Sequence, residues 1–147
     1  MDRFTRGFIA AIPGWLLMNI WNYIAYQLNF SELRYVDWAS VMIFGNLPLN
    51  HLEGIVALFI HLIFMGFLGV IFTFLVPEIT SKHLWLKGII FSIVVGFAIH
   101  AIPILFKTPH LIRTSLTTTI TDYLGGIIWA LTFAYSLKWI NNRYVEN

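Results

Sequence analysis

The residues of this sequence that could do chemistry are polar side chains placed inside or beside long apolar runs. They are Asp122, His61, His100, Asn19, Asn22 and Glu53. Asp122 lies in the run from Leu116 to Trp139, where an ionised carboxylate is costly unless it is paired or reaches water. An acid in such a place indicates a functional site, and histidines near it are typical of proton and ion pathways.

Three interpretations of these residues remain open at this point. In the first, Asp122 pairs with one or both histidines and holds the helices together, because pairing offsets the cost of burying each group. In the second, the polar residues form a chamber for protons, ions or a small solute. In the third, His61 and His100 bind a metal or haem between helices, although their separation in the sequence matches no metal-binding motif.

The composition indicates a membrane protein. Hydrophobic residues make up 59% of the 147 residues and charged residues only 11%, whereas ordinary soluble domains are about 25% charged. The net charge of +2 comes from single basic residues beside apolar runs, a pattern typical of topology signals and not of a nucleic-acid interface. The chain has no cysteine, which excludes disulfides, thiolate metal sites and thiol nucleophiles.

Four apolar runs are long enough to cross a membrane as helices, at about 20 residues for each crossing. Their approximate bounds are 7–28, 51–76, 84–105 and 115–139. These spans leave little room for anything else, so we expect one domain. The predicted fold class is therefore all-α, a single transmembrane domain of four helices.

The segment between the first two spans, from Asn29 to Asn50, is too apolar for a free loop and too interrupted for a span. Within it, 35–44 is compatible with a short helix that Gly45 would stop. We expect this helix to be interfacial, lying at the membrane surface or dipping into it.

Local signals mark one bend and the ends of the second span. Pro13 and Gly14 are expected to bend the first span. Asn50 and Glu53 have the spacing of a capping pair at the start of the second span, and Pro77 is expected to end that span.

Rows of small residues indicate where helices pack closely. The third span carries such a row at four-residue spacing: Gly88, Ser92, Gly96 and His100. The fourth span carries another: Thr114, Thr118, Asp122, Gly126, Ala130 and Ala134. Gly66 and Gly69 lie three residues apart in the second span. Residues four apart share a helix face, so we expect Asp122 to face a neighbouring helix and not lipid.

The four spans divide into two similar hairpins. The stretch 6–9 in the first span resembles 87–90 in the third, and 67–72 in the second resembles 124–129 in the fourth. Two hairpins of the same orientation would be related by a pseudo-two-fold axis along the membrane normal.

These motifs carry a family resemblance over essentially the whole chain. A basic-Gly start, a His-bearing second span with spaced glycines, a Lys-Gly third span and a Gly-Gly fourth span resemble the small four-span bacterial membrane proteins of the YagU and YqhR kind. The resemblance implies the four-span fold and the membrane location. It implies no catalytic residue, because these families are of unknown function.

The basic residues predict that both termini lie on the cytoplasmic side, and the resemblance implies a bacterial plasma membrane. The first, third and fifth non-spanning segments hold Arg3, Arg6, Lys82, Lys87, Lys138 and Arg143. The second and fourth hold Arg34, Lys107 and Arg113. With spans of alternating direction and a rise of about 1.5 Å per residue, all six candidate polar residues fall in the outer half of the bundle.

We therefore expect a small integral membrane protein whose outer polar cluster is structural or binds a small solute, ion or proton. The alternative is a structural or accessory subunit that packs against another copy of itself or a membrane partner through its small-residue rows. The expected partners of the chain are the lipid bilayer and either a second copy of itself or another membrane protein, and not nucleic acid. No catalytic set, phosphate-binding loop or H-E-x-x-H motif predicts an enzyme, and no motif requires a cofactor.

Overall fold

The computed structural model describes residues 1–76 and 82–145, and this part of the chain is all helical, with five helices and no strand. The helices are α1 (Arg3–Gln27), α2 (Tyr35–Phe44), α3 (His51–Leu75), α4 (Leu84–Leu105) and α5 (Leu116–Val145). Pro77, the predicted end of the second span, lies outside the described residues. The helix α1 runs through Pro13 without interruption.

Three of these helices, α1, α3 and α4, are long and apolar enough to cross a membrane, which is consistent with a membrane protein. At about 1.5 Å per residue they are about 33–38 Å long, against a hydrocarbon core of about 30 Å. The helix α5 has 30 residues but is less apolar, because threonines and Asp122 near its start and basic residues near its end interrupt its apolar run. It is therefore not among the three.

The helices α1 and α5 pack antiparallel along most of their length and form the centre of the bundle. At one end the guanidinium of Arg6 donates to Oδ1 of Asn141 over 2.8 Å. At the other end the amide of Asn22 donates to Asp122. The helix α3 packs against α1, and α4 packs against α5.

Glycines allow α1 and α3 to approach until their backbones touch. A Cβ atom on Gly69 would lie 2.5 Å from the carbonyl oxygen of Gly7, and a Cβ on Gly7 would lie 2.9 Å from the carbonyl oxygen of Gly69. One turn away, Gly66 lies under the ring of Phe8. The two glycines singled out in the second span therefore both lie at the contact with α1.

Small residues also line the contact between α4 and α5. The facing pairs are Gly88 with Ala130, Ser92 with Gly126, and Gly96 with Tyr123. In the fourth-span row, Thr118, Ala130 and Ala134 are buried, as is Asp122. This agrees with the prediction that the row faces protein.

The two hairpins pack against each other asymmetrically. A two-fold relation would give α3 and α4 an interface like that of α1 and α5, but α3 and α4 share no interface of comparable extent. They meet at Phe72 and Phe91, whose ring centroids lie 5.4 Å apart. Beyond these rings a cavity separates the helices, so the symmetric packing expected from the repeat is wrong. Side chains of α2 occupy part of the space that a symmetric contact would need.

The helix α2 has the bounds indicated by the sequence, and it ends at Gly45, whose φ of 77° is left-handed. Glycine reaches this conformation without a Cβ clash. At the other end, Asp37 accepts hydrogen bonds from the backbone N–H of Arg34 at 2.7 Å and from its guanidinium at 2.8 Å. The hydrogen bond from the guanidinium to Asp37 raises the pKa of Arg34 above its usual value.

One face of α2 is directed into the protein, since Tyr35, Trp38 and Val41 are buried while Met42 and Phe44 on the other side are exposed. Tyr35 and Trp38 reach the polar residues of the neighbouring helices. The prediction of a helix at the membrane surface did not include this inward face.

Candidate functional site

A cavity of about 290 Å³ lies between α3 and α4, and side chains from all five helices line it. Most of its wall is apolar. The residues that can hydrogen bond there are Tyr35, Trp38, His61, Ser92, His100, Asp122, Tyr123 and Trp129. Small-molecule sites in proteins begin at about this volume and combine apolar walls with a few polar groups.

Asp122 is the acid of this cavity, and its side chain is only 7% exposed. Its Oδ1 accepts a hydrogen bond from the amide of Asn22 at 3.4 Å. Its Oδ2 is buried and accepts no hydrogen bond from any residue that the structure describes. An unsatisfied buried polar atom costs about 1–3 kcal/mol, and a charged one costs more. The second carboxyl oxygen is thus a buried acceptor at the wall of the cavity, without a hydrogen bond from the described residues.

His100 is the nearest titratable neighbour of that oxygen, with Nε2 at 3.7 Å from Oδ2, which is beyond hydrogen-bond distance. Its ring stacks on Tyr123, with centroids 5.6 Å apart, and meets Trp38 edge-on at 4.9 Å. The indole N–H of Trp38 lies within reach of the Asp122 carboxyl, although it makes no hydrogen bond of ordinary geometry to the described residues. Three polar groups therefore converge without saturating one another.

Asn22 joins three helices beside the cavity. Its Oδ1 accepts from the backbone N–H of Tyr35 at 2.7 Å, while its amide donates to Asp122. The hydroxyl of Tyr35 in turn donates to the backbone carbonyl of Asp122 at 3.0 Å. These bonds fix α1, α2 and α5 around the carboxyl group and leave Oδ2 without a hydrogen bond from the described residues.

His61 lies on the α3 side of the cavity. Its Nδ1 accepts from the indole N–H of Trp15 at 3.3 Å, and its ring lies 5.6 Å from that of Tyr35. A neutral imidazole that accepts at Nδ1 carries its proton on Nε2, so His61 is a hydrogen-bond donor at its other nitrogen. Of the two histidines, His100 is the one with a described ion-pair contact to Asp122.

Two of the six candidate residues lie outside this arrangement. The amide of Asn19 donates to the carbonyl of Trp15 in its own helix at 2.8 Å. Glu53 caps α3, since its backbone N–H donates to Asn50 and its carboxylate accepts from the backbone N–H of Leu49. The capping prediction is confirmed, but Glu53 is not a cavity residue. Counting residues along a span gives depth and not direction, which explains Asn19, whereas Glu53 lies at the start of α3 and not at the depth of the cavity.

Tyr35 and Trp38 are cavity residues that the sequence analysis missed. They lie three residues apart on α2 and so share a face, and Val41 continues the same face three residues later. This spacing of large side chains was the available signal for an inward-facing helix.

Within 1–76 and 82–145, no group of three or more histidine, cysteine, aspartate or glutamate side chains is placed to hold a metal ion. His61, His100 and Asp122 line one cavity without forming such a group. This geometry does not support the third interpretation, in which His61 and His100 bind a metal or haem between helices.

Comparisons with known proteins return no match among family models, curated proteins or solved structures. The geometry of the cavity therefore carries the functional argument, and the resemblance to the YagU and YqhR kind stays a prediction.

Replacing Asn22 with alanine is expected to lower the free energy of unfolding by about 1–3 kcal/mol, because it leaves the buried N–H of Tyr35 and Oδ1 of Asp122 without their partner. Asn19→Ala is the matched control, since Asn19 bonds only to its own helix in the described contacts. We expect the control to change stability by less than about 0.5 kcal/mol. Denaturant titrations of both variants in detergent measure the difference, and equal losses would contradict the linking role of Asn22.

Proposed function

We propose that this protein is an integral membrane protein that binds a small, mostly apolar molecule in the cavity between α3 and α4. One observation carries the proposal: an apolar cavity of about 290 Å³ is lined by a buried carboxyl group with an oxygen that accepts no hydrogen bond from the described residues. Apolar walls provide affinity, and a single placed polar group provides orientation.

The proposal includes four membrane crossings, with α5 as the fourth. The helix α5 lies beside α1 from the Asn141 end to the Asp122 end, and it also packs against α4. Because α1 and α4 are each long and apolar enough to cross a membrane, a helix paired along their length crosses the same layer. Six basic residues against three favour cytoplasmic termini, which would put the cavity in the outer half, and the resemblance to the YagU and YqhR kind implies a bacterial plasma membrane.

The rim of the cavity favours access from the bilayer. Met42, Ile60 and Phe64 line the cavity and are 53%, 41% and 43% exposed. An opening bordered by exposed apolar side chains of membrane helices faces hydrocarbon, while α1 and α5 close the opposite side. The ligand would therefore be a molecule dissolved in the membrane.

A purely structural role for the polar cluster accounts for less of the geometry. A structural carboxyl group in a low-dielectric interior is stabilised when all of its hydrogen-bonding capacity is used. The bonds of Asn22 fit that role, but neither Oδ2 of Asp122 nor the indole nitrogen of Trp38 makes a hydrogen bond of ordinary geometry to the described residues. The nearest contact of Oδ2 is Nε2 of His100 at 3.7 Å, so a ligand in the cavity would add an interaction that these neighbours do not complete.

The proposal can be tested with tritiated neopentylbenzene as a neutral apolar probe, measured by equilibrium dialysis of the purified protein in dodecyl maltoside. Ala39 lines the cavity, so Ala39→Trp should fill it and reduce binding at least tenfold. Ile90 is 54% exposed on α4 and is not a lining residue, so Ile90→Trp is the matched control and should bind like the wild type. Binding no greater than that of empty micelles, or equal binding by both variants, would overturn the proposal.

A further inference from the structure

We infer that the ligand is a lipophilic organic cation, an amine or a quaternary ammonium compound, bound with Asp122 as its counter-ion. This inference rests on the proposed function, because it names the chemical class that the same cavity accepts.

The aromatic side chains of the cavity provide the first argument. Five of its lining residues carry benzene or indole rings: Tyr35, Trp38, Phe64, Tyr123 and Trp129. The face of such a ring attracts a cation within about 6 Å, and the attraction grows when the cation is desolvated. A group of rings around an apolar space is the usual recognition site for alkylammonium groups.

The charges of the cavity provide the second argument. Asp122 is the acid among the lining residues, and no lysine or arginine is among them. An anionic ligand would meet the Asp122 carboxylate, whose described ion-pair contact is with His100. A neutral apolar ligand would add no counter-charge for this carboxylate. A cation with an apolar body satisfies the carboxylate and the apolar wall together.

The position of the carboxyl group provides the third argument. Asn22 holds Oδ1, and Tyr35 holds the backbone carbonyl of the same residue. The carboxyl group is thus oriented before a ligand arrives, and Asp122 lines the cavity. His100 lies 3.7 Å from Oδ2, too far for a hydrogen bond, so the carboxyl group keeps capacity for a further interaction. Preorganised polar groups of this kind lower the cost of binding.

A pair of isosteric ligands tests the inference. Benzyltrimethylammonium and neopentylbenzene have the same shape and differ in the charge of one atom. Both are measured by equilibrium dialysis in dodecyl maltoside, an uncharged detergent that contains no ammonium group. We expect the wild-type protein to bind the cation at least tenfold more tightly than the neutral compound.

Variants then locate the preference. Asp122→Asn should abolish the preference for the cation while it retains binding of neopentylbenzene. Glu53→Gln makes the same change of charge at the cap of α3, outside the cavity, and should retain the preference. Trp38→Leu should weaken binding of the cation more than binding of the neutral compound.

The outcomes separate the two levels of the proposal. If wild-type protein binds neopentylbenzene as tightly as the cation or more tightly, the inference is wrong and the proposed function stands. If neither compound binds above the level of Ala39→Trp, both fail. The wild-type comparison of the two ligands gives this result even if Asp122→Asn does not fold.

Discussion

Gly69→Ala is expected to lower the free energy of unfolding by about 2–3 kcal/mol, the cost of overpacking a tight interior contact. The new Cβ would lie 2.5 Å from the carbonyl oxygen of Gly7 and 2.8 Å from the Cβ of Ala11. Neither atom belongs to a flexible side chain, so α3 would have to move away from α1. Denaturant titration in detergent measures the loss.

Gly54→Ala is the control for this substitution. It lies in the same helix, and beyond its own stretch of helix the added Cβ would meet only Val36 of the described residues, at 3.7 Å. Because alanine is favoured over glycine within a helix by roughly 0.5–1 kcal/mol, we expect this variant to be as stable as the wild type or slightly more stable. A loss at Gly54 equal to that at Gly69 would show that helix packing is not the cause.

Trp129→Ala is expected to lower the free energy of unfolding by an amount on the order of 2–4 kcal/mol, mainly because of the space it leaves. Trp129 is 1% exposed and stacks on Phe133 with ring centroids 5.1 Å apart. It also lies against Gly14 at the contact between α1 and α5. The substitution removes contacts between helices, where lipid cannot take the place of the missing side chain.

Trp139→Ala is the matched control, in the same helix and with the same change of side chain. Trp139 is 50% exposed, and the guanidinium of Arg143 lies 4.0 Å from its ring centroid. We expect a loss of less than about 1 kcal/mol. Melting curves of the two variants followed by circular dichroism should therefore differ widely, and similar curves would refute the central position of Trp129.

The residues on each helix that face a neighbouring helix could be predicted from the sequence, because spacing along a helix determines which side chains share a face. The row that contains Ser92 and the row that contains Gly126 do meet, and the capping pair at Asn50 and Glu53 forms as expected. Such features depend on local geometry, which the order of the residues fixes.

The membership of the candidate site was less predictable. Asn19 lies away from the cavity because depth does not determine the direction of a side chain, and Glu53 lies away because it caps the start of α3, ahead of Ile60, the first cavity residue of that helix. The spacing of Tyr35 and Trp38 indicates an inward face of α2, but the groups that they meet depend on the divergence of α3 and α4. That divergence results from how the helices pack together, which no single helix encodes.

The hydrogen bonds that hold α2 have a consequence for the order of assembly during synthesis. The hydroxyl of Tyr35 bonds to a residue 87 positions later, and the backbone N–H of Glu32 donates to Thr118, 86 positions later. The ribosome delivers the chain from its N-terminus, so α2 is made long before these partners. A nascent chain stopped after α3 could already pack α2 against α3 and bond Tyr35 to Asn22, whereas the two contacts with later residues would form only once α5 is made.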